Sequence, residues 1–428
     1  MKIKYLAGAI PVFLTSVSAF AQVDTAELYG EKRDSLEAGT VVARQAGNYL
    51  PKGKDIRTEV ITAAGLCKMA CCNLAESFEN SASVTVGYSD AVTGARQIRL
   101  LGQSGVYTQM LDENRPVMRG LSAPWGLNYV PGQWLESIQI AKGVTSVING
   151  VESMTGQINM EHRKPTDEKP LYVQASFMND TKADLNVISS LQFDEMMKWS
   201  TVIFGHVDGN FKQFDHNGDG FYDDPKNLQL SLGNRWQFSP TVGPQLKFGF
   251  NAVLDKRKGG QSEFVPDAWT TDISNKNINA YMKMGIPLDE SRTNSIALIA
   301  DYSFQNMDSR FAHTVFNAKQ HSLFLNLLYQ QEINDYHKFT VGACDMFDSF
   351  DEDLSRVLAA QGSSAMLKKG FNEAAIFGEY TFQAGDVVTA VLGARAGNYT
   401  GNGWKFIPRV TLKFSPIEEI VLRGNFGR

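Results

Sequence analysis

The stretch Gln245-Leu-Lys-Phe-Gly-Phe-Asn-Ala-Val-Leu254 decides the fold, because apolar and polar residues alternate along it. Successive side chains of a β-strand point to opposite faces, so Leu246 and Phe248 share an apolar face while Lys247 and Asn251 share a polar one. The same two-residue period returns in segments of about ten residues throughout the C-terminal region, each bounded by Gly, Pro, Asn or Asp. The pattern predicts a large antiparallel β-structure.

Two features of the region 165–428 favour a membrane-spanning β-barrel over a soluble β-sandwich, the alternative that the same alternation allows. The connections alternate between short turns, at 239–243 and 383–386, and long polar loops, at 209–226, 255–275 and 347–371. Aromatic residues also end several apolar faces, as the interfacial girdles of such barrels do; they are Trp236 with Phe238, Tyr302 with Phe304, and Tyr380 with Phe382. The region contains about thirteen strand-like segments.

Composition and the N-terminus place the chain among exported proteins. It has 428 residues and a net charge of −5, which argues against a nucleic-acid partner. No apolar run of about 18 residues follows the N-terminus, so a helical membrane protein is excluded. Lys2 and Lys4, the apolar run 5–14 and Ala19-Phe-Ala21 form a cleavable signal peptide over residues 1–21.

A second pattern, in which helical and strand periods are mixed, covers residues 38–164. Its motifs are Ile98-Arg-Leu-Leu-Gly102, Tyr107-Thr-Gln-Met-Leu111, Trp134-Leu-Glu-Ser-Ile-Gln-Ile-Ala-Lys-Gly143, Ser146-Val-Ile-Asn-Gly150 and Thr155-Gly-Gln-Ile-Asn159. Together they resemble the plug domain of TonB-dependent outer-membrane receptors, which commonly ends with an E-x-I-x-[VI]-x-K-G strand, a turn and a closing G-x-I-N strand. The turn Asp112-Glu-Asn-Arg-Pro116 departs from the family pattern.

The resemblance implies a transmembrane antiparallel β-barrel with an N-terminal α+β plug domain. The chain then divides into the signal peptide (1–21), an N-terminal extension (22–37), the plug (38–164) and a partial barrel (165–428). It further implies TonB-dependent active transport of a scarce ligand across the bacterial outer membrane, with a metal ion or metal chelate preferred. The alternative is a passive porin, or an adhesion or structural outer-membrane barrel. No catalytic motif stands out, so neither an enzyme activity nor catalytic residues are expected.

The implied partners are the TonB complex of the inner membrane, outer-membrane lipid, the barrel-assembly machinery and a small ligand or metal. In the family, a short segment before the plug, the TonB box, pairs with TonB as an added strand, which requires an extended and β-prone sequence. Gly39-Thr40-Val41-Val42-Ala43 fits this description, and Thr40, Val41 and Val42 are the expected contact residues. The alternative is that this segment forms the first plug strand.

Three of the four cysteines, Cys67, Cys71 and Cys72, form a C-x-x-x-C-C motif. Residues i and i+4 share a helix face, so Cys67 and Cys71 can present two thiolates together, and soft thiolates favour copper or zinc. Disulfide or redox chemistry is an alternative in an exported protein, with three ways of pairing once Cys344 is included, and buried thiols are another. The pattern resembles C-x-x-x-C-C-N-L-x-E-S-F in one branch of the family, which implies a metal or metal-chelate cargo.

A candidate Ca²⁺ loop reads Asp215-His-Asn-Gly-Asp-Gly-Phe-Tyr-Asp-Asp224 and matches the spacing D-x-[DN]-x-[DN]-G with an acid at position nine. The expected ligands are Asp215, Asn217, Asp219, Phe221 and Asp223. Lys226 stands where a bidentate Glu is usual, and Asp224 would be a partial substitute. The alternative is a solvated acidic loop. Transport itself requires no cofactor.

The length of the C-terminal region is too small for the 22 strands that the resemblance implies. Strands of about ten residues need roughly 220 residues before any loop is counted. The alternation also continues into the final residues, Asn425-Phe-Gly-Arg428. We therefore expect the chain to be an N-terminal fragment of a longer receptor that does not insert stably by itself.

Overall fold

The computed structural model describes residues 47–51, 56–68, 73–79, 81–166, 170–178, 181–193, 198–262, 265–266, 268–356, 363–417 and 419–428. They belong to one compact unit, Ala46–Arg428. The predicted signal peptide, the extension 22–37 and the candidate TonB box 39–43 lie outside the described residues. No helix in the described part of the chain is long and apolar enough to cross a bilayer.

The N-terminal part forms a six-stranded sheet of order β1-β2-β8-β9-β6-β7 and a three-stranded sheet of order β3-β4-β5, in which only the β6–β9 pair is parallel. The strands are β1 (Asn48–Tyr49), β2 (Thr58–Thr62), β3 (Val84–Asp90), β4 (Ala95–Leu100), β5 (Gln103–Ser104), β6 (Thr108–Asp112), β7 (Arg115–Pro116), β8 (Leu135–Lys142) and β9 (Gly156–His162). The α-helices are α1 (Ala63–Lys68), α2 (Leu74–Ser77) and α3 (Gly126–Tyr129). Short 3-10 helices span Gly105–Tyr107, Gly120–Ser122, Gly132–Trp134 and Val147–Asn149.

The two motifs that carry the resemblance form neighbouring central strands, β8 and β9. In β8, Leu135, Ile138 and Ile140 are fully buried, and Ile158 of β9 packs with them in one apolar core. Intermediate positions such as Glu136 and Gln139 are only partly buried. Burying each of these aliphatic side chains away from water contributes about 2 kcal/mol of stabilising free energy, which holds the sheet and its covering helices together.

The C-terminal part forms one antiparallel sheet of thirteen strands, each paired with the next along the chain. Among the described residues, its outer strands β10 and β22 do not close it into a complete barrel. The strands are β10 (Leu171–Met178), β11 (Lys182–Gln192), β12 (Trp199–Asn210), β13 (Lys226–Phe238), β14 (Gln245–Gly260), β15 (Thr270–Pro287), β16 (Asn294–Phe311), β17 (Thr314–Asn334), β18 (His337–Arg356), β19 (Ser363–Ala384), β20 (Val388–Tyr399), β21 (Gly403–Ile417) and β22 (Ile420–Gly427).

The burial of this sheet is inverted relative to a soluble protein. In β13, Leu230 and Leu232 are 37% and 47% exposed, whereas the intervening Ser231 and neighbouring Gln229 are 0% and 1% exposed. The apolar face therefore points outward and the polar face packs against the plug. A soluble sandwich would bury the apolar face, so the arrangement confirms the predicted transmembrane barrel architecture with a plug domain.

The two ends of the sheet differ. The connections 211–225 and 261–269 lie at one end, here called the loop end, and the six-residue connections 239–244 and 288–293 lie at the other, the turn end. Aromatic rings gather at the turn end: Trp236 stacks on Phe193 with ring centroids 5.4 Å apart, as expected for an interfacial girdle.

The predicted loops 255–275 and 347–371 were in part wrong. Strand β14 continues to Gly260 and β15 begins at Thr270. Strand β18 continues to Arg356 and β19 begins at Ser363. Beyond the apolar band both faces of a hairpin can be polar, so the alternation that marks a strand within the bilayer is lost while the backbone pairing continues.

Glycines close the plug sheet where no other residue fits. Gly143, Gly150 and Gly156 have φ of 85°, 102° and 150°. A Cβ on Gly156 would lie 2.1 Å from the carbonyl oxygen of Ala141 on the neighbouring strand β8. The backbones of β8 and β9 can approach this closely only because the side chain is absent.

We expect Gly156→Ala to lower the stability of the plug by about 2–3 kcal/mol, because it adds both a clash and an unfavourable φ. The rate of limited proteolysis of the native chain should rise accordingly. Gly102→Ala is the matched control, since Gly102 has a φ of 77° but nothing within 4 Å of its Cβ position; it should cost about 1 kcal/mol. Equal proteolysis of the two variants would contradict the close approach.

Candidate functional site

The turn between β6 and β7 projects from the plug toward the wall of the large sheet. Asp112 and Arg115 are paired across it, and the two residues between them, Glu113 and Asn114, have φ of 48° and 64°. Positive φ at both central positions defines a type I′ hairpin turn, which normally uses Asn and Gly. A glutamate there is strained, so the surroundings must hold it in place.

Buried ion pairs provide that restraint. Arg115, 1% exposed, donates to Asp112 at 2.6 Å and to Asp301 of β16 at 2.5 Å. Its guanidinium also lies 3.7 Å from the ring centroid of Tyr281 on β15. The Glu113 carboxylate accepts from Arg235 of β13. The turn is thus fixed to three strands of the wall, β13, β15 and β16, and we call this group of residues the turn anchor.

Lys283 and His162 complete the turn anchor. Lys283 Nζ donates to the Glu113 carbonyl oxygen at 2.9 Å, and His162 Nδ1 lies 2.9 Å from an Asp112 oxygen. Burial alone would raise the pKa of Asp112, but the charges of His162 and Arg115 outweigh it and hold this pKa well below its usual range. Burial likewise would raise the pKa of Glu113, but the charge and hydrogen bond of Arg235 outweigh it and lower this pKa to about 2.

The sign of these shifts decides how the turn anchor responds to pH. A carboxyl whose folded pKa is depressed adds stability above its unfolded pKa, and that stability is lost only as the pH falls toward the folded value. Both carboxylates of the turn therefore stay ionised at neutral and mildly acidic pH. Mild acidification therefore does not neutralise either carboxylate of the turn itself.

A second contact joins the plug to the wall through Arg119. Its guanidinium donates to Glu152 of the plug at 2.8 Å and to Asp348 of β18 at 2.8 Å. The next residues are held as well, because Leu121 N donates to Gln320 Oε1 of β17 at 2.8 Å. Arg119 therefore links Glu152 of the plug to β18, and the adjoining Leu121 adds a contact with β17.

A third contact seats the plug loop 143–153 on the last wall strands. Arg395 Nη1 of β20 donates to the Val147 carbonyl oxygen at 3.2 Å, and Arg409 Nη1 of β21 donates to that of Ser146 at 2.8 Å. Arg395 also pairs with Glu373 and donates to Cys344 Sγ at 2.6 Å. Cys344 is buried and in no disulfide, so it packs within this contact.

A pocket of about 430 Å³ opens on the plug surface, lined by residues that include Arg96, Val106, Met110, Met118, Arg119 and Glu152. The adjoining β3–β4 hairpin reaches the loop end, where Gly94 packs against Pro225 and Arg257. Met118 has a φ of 55°, which is rare for a long side chain. Met118 and Arg119 also line a cavity of about 130 Å³ between plug and wall, so these two residues connect the pocket to the plug–wall boundary.

Cys67, the described residue of the cysteine motif, lies elsewhere. Cys67 is exposed on α1, and Arg163 Nη2 lies 3.9 Å from its sulfur. The Arg163 guanidinium covers the ring of Tyr172, which begins β10 at the turn end. Cys71 and Cys72 lie outside the described residues, so their grouping with Cys67 and a bound copper or zinc ion stay predictions.

The candidate calcium loop is folded by its own carboxylates. Asp215 accepts from Gly218 N at 2.8 Å and Gly220 N at 2.9 Å, and Asp219 accepts from Phe221 N at 2.8 Å. Hydrogen bonds from the backbone and ring of His216 lower the pKa of Asp223. Calcium binding by Asp215, Asn217, Asp219, Phe221 and Asp223 stays a prediction. Asp224, suggested as a partial ligand, lies 3.4 Å from Lys182 Nζ, and its part in calcium binding also stays a prediction.

Within the described ranges, no group of three or more His, Cys, Asp or Glu side chains is arranged to hold a metal ion. The residues that the sequence did not single out are Glu113, Arg115 and Arg119. The one available signal was that the turn 112–116 departs from the family pattern and carries charged residues. Their partners on the wall lie more than a hundred residues away, beyond the reach of any local pattern.

Two family models match the chain. Residues 53–157 match the TonB-dependent receptor plug domain, and residues 173–428 match the β-barrel of TonB-dependent receptor-like proteins. No curated protein sequence matches the chain.

Solved structures share the fold at low identity. FpvA of P. aeruginosa, bound to heterologous pyoverdines with iron, has a TM-score of 0.72, 13% identity and coverage of 86% of this chain and 56% of its own. The siderophore receptor PirA of Acinetobacter baumannii has a TM-score of 0.67, 15% identity and coverage of 86% of this chain and 60% of its own. A mutant of the ferric enterobactin receptor PfeA of Pseudomonas aeruginosa, in complex with enterobactin, has a TM-score of 0.67, 12% identity and coverage of 86% of this chain and 62% of its own. The chain thus spans less than two thirds of the length of these structures.

We expect Asp301→Asn to weaken plug attachment by about 3 kcal/mol, because it leaves a buried guanidinium with one carboxylate instead of two. The midpoint of denaturant-induced exposure of the plug to protease should fall. Asp351→Asn is the matched control: its partner Lys368 is at 3.2 Å, but both side chains are largely exposed, so the loss should be below about 1 kcal/mol. Identical midpoints would show that the turn anchor does not hold the plug.

Proposed function

Because this chain belongs to the TonB-dependent receptors, we propose that it takes part in active transport of a metal chelate across the bacterial outer membrane. The observation that carries the proposal is a plug fixed to a barrel wall by buried ion pairs, with an open pocket above it. Ligand would bind at the pocket on the loop end, outside the cell. No bond of the cargo is made or broken, so the residues bind, hold and release rather than catalyse.

The strength of the plug–wall contacts favours an energised mechanism over a passive porin. Removing one partner of a buried ion pair while the other stays buried costs about 3–5 kcal/mol. Opening the plug has to break the turn anchor and the Arg119 contact before water can solvate the separated charges, so it requires work. Pulling by TonB, driven by the inner-membrane proton gradient, would supply the missing work. An inert porin or adhesion barrel has no need of such contacts.

The lining of the pocket supports a chelate as the cargo. Arg96 and Arg119 are guanidinium groups suited to carboxylate or other planar anionic oxygens. Met110 and Met118 add polarisable apolar surface. The Arg96 guanidinium lies 5.1 Å from the ring centroid of Tyr88, so an aromatic ring adjoins this arginine. FpvA and PfeA, which share the fold, are described in complexes with pyoverdines and enterobactin.

The remaining partners follow from the same proposal. TonB would add a strand to the segment 39–43, using Thr40, Val41 and Val42. Outer-membrane lipid would cover the apolar face of the sheet, and the barrel-assembly machinery would insert it. The protein would be located in the cell outer membrane, after export by means of the signal peptide 1–21.

The cysteine motif carries its own proposal within this function: Cys67, Cys71 and Cys72 bind copper or zinc. Soft thiolates select these metals. The double variant Cys67→Ser/Cys71→Ser should retain less copper or zinc than the unaltered chain after purification and dialysis, as measured by elemental analysis. Cys344→Ser is the control, because Cys344 is buried in the wall contact. Unchanged metal content in the double variant would refute the proposal.

We expect deletion of residues 39–43 to abolish uptake of a labelled metal chelate while leaving its binding to outer membranes intact, because only the pull on the plug is lost. An uncoupler of the proton gradient should have the same effect on the chain without the deletion. Deletion of five residues from the acidic segment 24–37 shortens the extension equally and should leave uptake unchanged. Uptake that resists both the deletion and the uncoupler would favour the passive porin.

A further inference from the structure

A polar crevice lies between the plug and strands β10–β14 at the loop end; it shares Arg96 with the pocket and is apart from the turn anchor. Its lining includes Asp184 of β11, Asp208 and Asn210 of β12, and the plug residues Tyr88 and Arg96. The crevice has a volume of about 110 Å³, enough for an ion with several waters.

Asp184 and Asp208 are direct cross-strand partners on the inner face. Side chains so placed have Cβ atoms about 5 Å apart, and like charges in this position repel. Asp184 is 5% exposed, which increases the repulsion because water screens it poorly. A stable sheet therefore needs a counter-charge at this pair.

The described cations around the crevice are engaged with other carboxylates. Lys182 pairs with Asp224 at 3.4 Å, and Arg96 lies 3.7 Å from Glu76. Arg257 donates through Nε to Asp255 at 2.8 Å. Asp208 receives a neutral donor, Asn227 Nδ2, at 2.8 Å. These contacts leave the Asp184–Asp208 pair without a dedicated cationic partner among the described lysines and arginines.

Two buried acceptor oxygens in the crevice also lack a hydrogen-bond donor among the described residues: Asp184 Oδ2 and Asn210 Oδ1. Asn210 is 3% exposed. His206 Nδ1 lies 3.2 Å from Asp184 Oδ2 and 3.0 Å from Asn186 Oδ1. A single ring hydrogen that serves the amide oxygen leaves the carboxylate oxygen without a donor. Unpaired buried oxygens of this kind are costly and call for a ligand.

We propose that the crevice binds a hard divalent cation, Ca²⁺ being the best fit, through the carboxylates of Asp184 and Asp208 and the amide oxygen of Asn210. Calcium accepts carboxylate and amide oxygens in flexible geometry and completes its shell with water. Its charge balances the aspartate pair. The site is separate from the loop 215–223 and does not depend on the transport function.

The test is calcium titration of the full chain in detergent after treatment with a chelator, by calorimetry, with thermal unfolding in parallel. The variant Asp184→Asn/Asp208→Asn keeps the shape of both side chains. It should bind one Ca²⁺ fewer per chain, or bind it about tenfold or more weakly. Because the repulsion is gone, it should also unfold at a higher temperature than the unaltered chain in chelator, but gain less from added Ca²⁺.

Two controls separate this site from other acids. Asp215→Asn alters the loop 215–223 and should leave the crevice Ca²⁺ in place. Asp272→Asn changes an exposed acid that pairs with Lys258 at 3.2 Å and should have no effect. The proposal is overturned if the aspartate double variant binds as much Ca²⁺, as tightly, as the unaltered chain. It is also overturned if Asp215→Asn alone removes the whole calcium response.

Discussion

The structure depends on a buried arginine, Arg115, that belongs to the plug but is neutralised in part by the wall. Its two carboxylate partners, Asp112 and Asp301, lie on different domains. Neither domain can bury its share of these charges alone, because an unpaired buried ion costs several kcal/mol. The plug therefore needs the wall to satisfy its charges, and the wall needs the plug to cover a polar inner face. This mutual requirement explains why a polar interface can hold two domains together.

The same constraint makes the association specific and breakable. Apolar packing would tolerate small shifts, whereas a guanidinium between two carboxylates is satisfied in only one position. Once the turn is displaced by a few ångströms, water can enter and solvate the separated charges. A contact of this kind resists small displacements strongly and is lost over a short distance, as the proposed opening of the plug by a pull at one end would require.

Much of the fold could be predicted from the sequence, since a period of two residues marks each membrane strand and the motifs at 134–143 and 155–159 mark β8 and β9. Hairpins beyond the apolar band were missed because both of their faces are polar. The site was less accessible. Arg115 and Asp301 are 186 residues apart, and no local pattern reveals which charges meet when a sheet closes around a plug. Asp224 illustrates the point, because nothing in its neighbours in sequence reveals that Lys182 is its ion-pair partner.

The placement of Cys67 separates two ideas that the sequence had joined. A metal-chelate cargo would be captured at the pocket on the loop end, yet Cys67 lies beside Arg163 and Tyr172 near the turn end. A thiolate group there cannot touch a ligand held beside Met118 and Arg119 while the plug is closed. A metal ion held by Cys67 would therefore lie at the turn end and not beside the pocket. Metal binding by the motif and the identity of the cargo are therefore distinct questions, and an answer to one does not settle the other.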